Sequence, residues 1–473
     1  MAPYYHIFES MQNTKIVQLF SSLSKVERNR LERFAHSPYH NTHRDVQELL
    51  AYLSKTDAPT LKDAHAFVFP NQAYNNAKLR NTQSYLLKLM EKFLTYEALE
   101  QDEQAMQLLL LPLYRQRGID KGFQSAVRNT SRLLERQPYR SIQYHYQTFC
   151  LQEEQFLYAE DGKRLEDKNI QEVLDTLDIY YASNKLRYCV VALSHQNVYN
   201  VAYNLGAIET LLTEIKTREW LSVPSVAAYY HSYKILTYTH SEEDYPTLKK
   251  LFIELWQFFQ PAELKELYTI AINFFIRQLN KGKTDSLQEL FSLYQSGLEH
   301  GVFMVDGELS RFTYKNIASV AIKCAAYEWV AHFVAHYATQ LPLQHRETYQ
   351  QYCQAKLYYS IQDYKNAMYC LQTLSSTDRE EVMDGKGMLV KIYYVLQEYN
   401  ALDSLLSSFK IYIKRDRYMS TYLKKSYLSF VHYVQRLQQH NPYDRQERQQ
   451  LLNDVQSEAQ LPERQWMLQQ LRG

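Results

Sequence analysis

Apolar residues recur at intervals of three and four along nearly the whole chain, and the strict alternation that marks β-strands is missing. Leu79, Thr82, Leu86, Leu89, Phe93 and Tyr96 form one such stripe, which predicts an amphipathic helix. Ile16, Leu19, Phe20 and Leu23 begin an earlier helix. Ser24-Lys-Val-Glu27 is a capping box, and it opens a helix through Leu31 and Phe34 that Ser37-Pro38 ends. Val46, Leu49, Leu50 and Leu53 mark a third helix, and Phe69-Pro70-Asn71 reads as a further break. Residues 1–100 are therefore expected to form an N-terminal cap of about four helices.

From about residue 100 the stripes come in pairs, and an internal repeat emerges. The tetratricopeptide pattern sets a small residue where two helices cross closely (position 8), tyrosine at 11, an aromatic near 17, alanine at 20, a large apolar residue at 24 and proline at 32. With Ala355 at the first of these places, Tyr358, Tyr364, Ala367 and Leu371 fill the next four. Thirty-five residues later, Val390, Tyr393, Tyr399, Leu402 and Leu406 occupy the same frame. Thirty-seven residues earlier stand Ala318, Ala321, Tyr327, Val330 and Val334, with Pro342 at the closing position. Thr377-Asp-Arg-Glu380 reads as a capping box between two hairpins.

Upstream the frame loosens. Tyr245, Leu248 and Phe252, closed by Pro261, read as another second helix, with Ser241 as a cap before Glu242-Glu243-Asp244. Leu287, Leu290 and Tyr294 read as the next, at a spacing nearer 40 residues. Residues 101–160 and 168–215 hold long amphipathic helices without a phase in this frame, joined by a turn from Asp161-Gly162 through Lys163–Lys168. Leu451, Leu452, Val455, Trp466 and Leu468 predict a capping helix in the polar segment 438–473. The expected fold is all-α: the helical cap, then a tetratricopeptide-like α-solenoid of antiparallel hairpins over 101–437, clearest in 311–415.

Three stretches, Leu23–Asn41, Lys78–Leu94 and Leu389–Arg415, resemble uncharacterised helical-repeat proteins of Bacteroidetes. The likeness is built from packing residues and spans most of the chain. It implies a cytoplasmic bacterial protein with a tetratricopeptide-like body, and it carries over no functional residue.

Composition narrows the function classes more than it selects among them. The net charge of +1 leaves no global field for nucleic acid or an anionic membrane, so local patches must carry any such role. Eleven glycines are few for phosphate loops or nucleophile elbows, and the 42 tyrosines suit half-buried helical faces and binding grooves alike. The longest aliphatic run, Leu108–Leu111, stops at Pro112, far short of the roughly 20 residues that a bilayer demands. Residues 1–23 show no basic stretch followed by an apolar one, and Cys150, Cys189, Cys324, Cys353 and Cys370 form no C-x-x-C pair. Reduced thiols in a cytoplasmic chain without membrane insertion are the expectation.

No nucleotide, nucleophile-elbow or zinc-peptidase signature occurs, and the residue after His332 is Phe333 where that last motif needs glutamate. His332 and His336 share a helical face inside a matched repeat, where groove or packing roles suit them. His36, His40 and His43 cluster, but Pro38 breaks the helix that would align them. Glu153-Glu154 is an ordinary exposed acidic pair, and Arg28, Arg30 and Arg33 are punctuated by Glu27 and Glu32 as on a solvated face. The most concentrated charge is Lys410, Lys414, Arg415, Arg417, Lys424 and Lys425, interleaved with Tyr412, Tyr418 and Tyr422. Such residues neutralise phosphates and stack on bases, although the repeat frame ends a helix near Arg415 and Ser420 caps a new one. The expected function is a non-enzymatic scaffold or adaptor that takes a peptide or partner helix on the concave solenoid face, with no cofactor and no metal. The alternative is a nucleic-acid-binding regulator using residues 410–425, supported by the helix–turn–helix look of residues 24–53.

Overall fold

Helix replaces the three-to-four period almost everywhere in the computed structural model, which describes residues 10–160, 168–199, 201–237, 244–374, 378–441 and 443–472. Two compact units divide the chain, Met1–Tyr181 and Ala182–Gly473. The turn expected at 161–167 and the Ser241 cap lie outside the described residues.

The first unit opens with α1 (Lys15–Ser22), α2 (Lys25–His36), α3 (Arg44–Lys55), α4 (Leu61–Val68) and α5 (Asn76–Gln101). Both halves of the Ser24–Glu27 capping box form. Five helices stand where about four were expected, the additional one being α4, eight residues long, which buries Ala64, His65 and Val68. Ile16, Phe20, Leu31, Leu49, Leu79, Leu86 and Phe93 meet in one core. Tyr96, the last residue of the α5 stripe, instead stays 52% exposed. Next come α6 (Glu103–Gln116), α7 (Asp120–Arg136) and α8 (Ile142–Glu160). Pro112 ends the aliphatic run but not α6, which continues one turn past it.

A continuous helix, α9 (Ile170–Tyr199), crosses the division between the units. The second unit continues with α10 (Ile208–Thr217), α11 (Pro224–Thr237), α12 (Asp244–Glu254), α13 (Pro261–Asn280) and α14 (Ser286–Glu299). Then follow α15 (Arg311–Lys323), α16 (Tyr327–Tyr337), α17 (Leu343–Ser360), α18 (Tyr364–Thr373), α19 (Arg379–Val395) and α20 (Tyr399–Arg415). Last are α21 (Thr421–Gln439), α22 (Arg445–Ser457) and α23 (Arg464–Arg472). The C-terminal segment is thus two helices rather than one, parted before Pro462 and Glu463, whose φ is 56°. Pro261 opens α13 at its first position instead of closing α12, a place where the missing N–H costs nothing. Asp378, not Thr377, caps α19, accepting from the Glu380 N–H, and Thr377 lies outside the described residues. Two short strands, Met304–Val305 and Glu308–Leu309, pair antiparallel between α14 and α15. That insertion lengthens the connection between α14 and α15.

The hairpins that begin with α15, α17 and α19 share one turn. After α15, α17 and α19 the chain passes through Ala325, Gln362 and Gln397, with φ of 55°, 62° and 58°. In each turn that residue's N–H bonds a carbonyl three residues back, and the next N–H bonds one five back: Ala326 to Ala321, Asp363 to Tyr358, Glu398 to Tyr393. This left-handed stop satisfies two orphan carbonyls and reverses the chain. Gly118, at φ 63°, closes α6 with the same pair of bonds. Counting from that turn places Leu111 at the crossing position and Phe123 at the alanine position, both buried. The α6–α7 hairpin therefore shares this turn and buries the residues at the matching offsets, while Gly122, not Phe123, carries the small side. A Cβ on Gly122 would stand 2.8 Å from the Tyr114 ring, so the helices touch there.

Ala318, Ala355 and Val390 are no more than 1% exposed, as are Val330, Ala367 and Leu402 on the second helices. Ala355→Leu should overpack this crossing and lower stability by about 1–3 kcal/mol. Tyr369→Leu, at a residue 70% exposed on the same hairpin, should change it by less than about 0.5 kcal/mol. Denaturant melts of both variants check the frame, and equal effects would contradict it.

Candidate functional site

The basic segment is not one helix. Lys410, Lys414 and Arg415 belong to the end of α20, Arg417 and Tyr418 to the following turn, and Tyr422, Lys424 and Lys425 to the start of α21. Ser420 caps α21, accepting from the Leu423 N–H at 3.2 Å. Asp416 organises the turn by accepting from the N–H groups of Tyr418 (2.8 Å) and Met419 (3.0 Å) and pairing with Arg379 at 2.6 Å. Its burial works against the charge, but those hydrogen bonds and Arg379 prevail and hold its carboxyl below the usual range. Tyr418 and Tyr422 are 86% and 60% exposed, and no ion pair among the described residues engages the six cations. Lys414 and Arg415 also sit where the helix dipole favours cations without any ligand.

The histidines stay apart in purpose. His36 bonds the Glu32 carbonyl, His40 stacks on Phe34 with centroids 3.9 Å apart, and His43 stacks on Tyr85 at the start of α3. His332 and His336 stack on each other along α16 and remain exposed. Among the described residues no three potential metal ligands gather.

A different place concentrates function-grade chemistry. A cavity of about 500 Å³ is walled by the first helices of consecutive hairpins: Lys315 and Ser319 from α15, Tyr352 and Lys356 from α17, Glu380 and Asp384 from α19, Leu423 and Tyr427 from α21. A second, of about 420 Å³, lies among α13, α14, the strand pair and α15, with Ile272, Ile276, Tyr294, Phe303 and Leu309 as its apolar walls. Asn316 lines both. Lys315 reaches Glu380 at 3.3 Å and Glu381 at 3.9 Å, and Lys356 reaches Asp384 at 3.3 Å. The Tyr352 hydroxyl donates to Asp384. Burial pushes the Tyr352 hydroxyl far up and Asp384 reinforces it, so tyrosine keeps its proton. Asp384 stays ionised below the usual range, because Lys356 and the Tyr352 hydroxyl outweigh its burial. The cations of this cavity are thus matched by anions, and it offers polar and apolar contacts rather than a positive field.

Sequence reasoning passed over these residues, although a signal existed. Lys315 and Tyr352 stand three residues before Ala318 and Ala355, and Ser319 and Lys356 one after them, whereas Glu380 and Asp384 of α19 follow neither offset. Both offsets fall on one side of α15 and α17.

Away from the cavities, Glu263 at the start of α13 is buried beside Tyr229 of α11 and near Arg187 of α9. Arg187 is committed to Glu266, with Nη2–Oε2 at 2.7 Å. Neither Glu263 oxygen nor the Tyr229 hydroxyl meets hydrogen-bond geometry among the described residues. Burial raises the Glu263 carboxyl to about 7, with Glu266 adding to it and Arg187 and Tyr229 opposing. The folded chain therefore holds this proton to higher pH than the unfolded chain, whose ordinary value is 4.5. Stability from this group is present below that value and is lost as pH rises toward 7. Relative to Glu263→Gln, the wild type should lose on the order of 3 kcal/mol between pH 4.5 and 8. Denaturant titrations across that range test this, and parallel curves would refute it. Among the described residues, no helix is long and apolar enough to cross a membrane. No family model matches this chain, and neither a curated protein nor a solved structure matches it.

Proposed function

We propose that the hairpins from α13 to α21 form a tetratricopeptide-like solenoid whose first-helix face holds an extended peptide or a partner's helix. The chain then acts as a non-enzymatic scaffold or adaptor, in the cytoplasm of a bacterium. The observation that carries this reading is the run of cavity residues drawn from the first helices α15, α17, α19 and α21, with Met419 of the turn before α21, joined through Asn316 to the apolar cavity beside α13. Stacked hairpins of this kind bind through such faces, where side chains at fixed offsets repeat from unit to unit. Balanced charges and apolar walls suit a peptide better than a polyanion.

Asn316 and Leu423 line the cavities and are exposed, so Asn316→Arg with Leu423→Arg should block the face without unfolding the chain. Tagged full-length protein purified from its own cells should carry a stoichiometric, nuclease-resistant protein partner, which the double variant loses. A partner retained by the variant, or no partner at all, would defeat the reading.

The exposed tyrosines and six cations of Lys410–Lys425 favour a second reading, binding of nucleic acid. It expects affinity for single-stranded RNA or DNA that falls steeply with salt and drops at least tenfold in Lys414→Glu with Arg417→Glu, on the order of 1 kcal/mol or more. Unchanged affinity in a filter-binding titration would sink that site.

A further inference from the structure

α9 is 30 residues long, or about 45 Å. Over its second half, Ala182, Ser183, Leu186, Cys189 and Val190 are buried. Its other side is apolar and open: Ile170, Leu174, Leu177, Tyr181, Tyr188 and Val191 expose between 39 and 62% of their surfaces. These positions step by four and three in turn, with Asn184 and His195 filling the two remaining places. A core-facing helix carries a wider stripe, whereas a strict 3.5-residue period sustained for nearly four heptads is the seam of a coiled coil. On α9 the six apolar seam positions are exposed among the described residues.

We propose that a second copy of this chain supplies a facing helix, with the two α9 helices packed antiparallel. Turned about a point between Ala182 and Ser183, the seam pairs Leu174 with Val191, Leu177 with Tyr188, Tyr181 with Asn184 and Ile170 with His195 of the second copy. The flanks agree in charge. Asp178 falls opposite Lys185 on both sides of the two-fold axis, and Tyr180 falls opposite Arg187. A parallel pair would instead set Asp178 against Val173 and Lys185 against Tyr180, with no opposite charges meeting. A two-fold interface of this kind uses one patch twice and closes on itself.

The test uses the full chain. Sedimentation equilibrium should give twice the 56.3 kDa chain mass. Leu177→Lys with Tyr188→Lys places like charges in facing layers and should return the monomer, with helix content by circular dichroism unchanged because both residues are exposed. Under mild oxidation, Leu174→Cys with Val191→Cys should give a covalent dimer beyond the wild-type background, and neither single variant should. A wild type that stays monomeric at every concentration overturns the proposal. So does a dimer that survives the double lysine variant, because its interface lies elsewhere. Crosslinking by Leu174→Cys alone would mean parallel packing and would also overturn it.

Discussion

Ala318, Ala355 and Val390 are buried within α15, α17 and α19, at positions where a larger side chain would have to displace its neighbours. Helices that cross on small side chains need a turn that reverses the chain at once. The left-handed stop supplies it, using alanine or glutamine at three of six such turns among the described residues and glycine at Gly118, Gly282 and Gly301. Each alanine or glutamine there costs roughly 1 kcal/mol against glycine, offset by two backbone bonds and the burial that the reversal permits. Scarce glycine is therefore compatible with tight turns here, because the packing on either side determines the backbone.

The same reversal brings α15, α17, α19 and α21 together around one cavity. α19 is the hub of its electrostatics. Glu380 and Glu381 face Lys315, Asp384 faces Lys356, Arg379 faces Asp416, and Lys391 pairs with Glu463 at 3.0 Å. Several of these partners are substantially exposed, so each pair adds little stability. Their effect is orientation: they hold cations and anions at set places along a face that also carries methionine, leucine and tyrosine. Charge matched in this way favours a ligand that brings its own mixture of polar and apolar groups. The basic turn after α20 is the opposite case, with open tyrosines and cations that no ion pair among the described residues engages.

Glu263 shows the cost of a different arrangement. Its neighbour Glu266 already has the arginine, so burial leaves Glu263 with a carboxyl that holds its proton toward neutrality. The α9, α11 and α13 contact is accordingly sensitive to pH in a way that the ion-paired cavity is not.

Helix content was legible in the sequence, because a period near 3.6 needs only the order of apolar and polar residues. So were the Ser24 capping box, the break at Ser37-Pro38 and the cap at Ser420, which act within a few residues of chain. The recurring offsets marked Ala318, Ala355 and Val390 as inward-facing, and all three are buried. The α6–α7 hairpin escaped notice because its small residue, Gly122, stands one place from the expected alanine and its turn could be recognised only by its backbone angles. The cavity escaped for a deeper reason. Lys315, Lys356, Asp384 and Tyr427 are far apart in sequence, and each alone reads as an ordinary helical residue. Their meeting depends on how successive hairpins rotate against one another, a quantity set by packing volumes across many contacts. Local order determined the helices and their ends, whereas the shared face and the charge pairs on it were decided by tertiary structure alone.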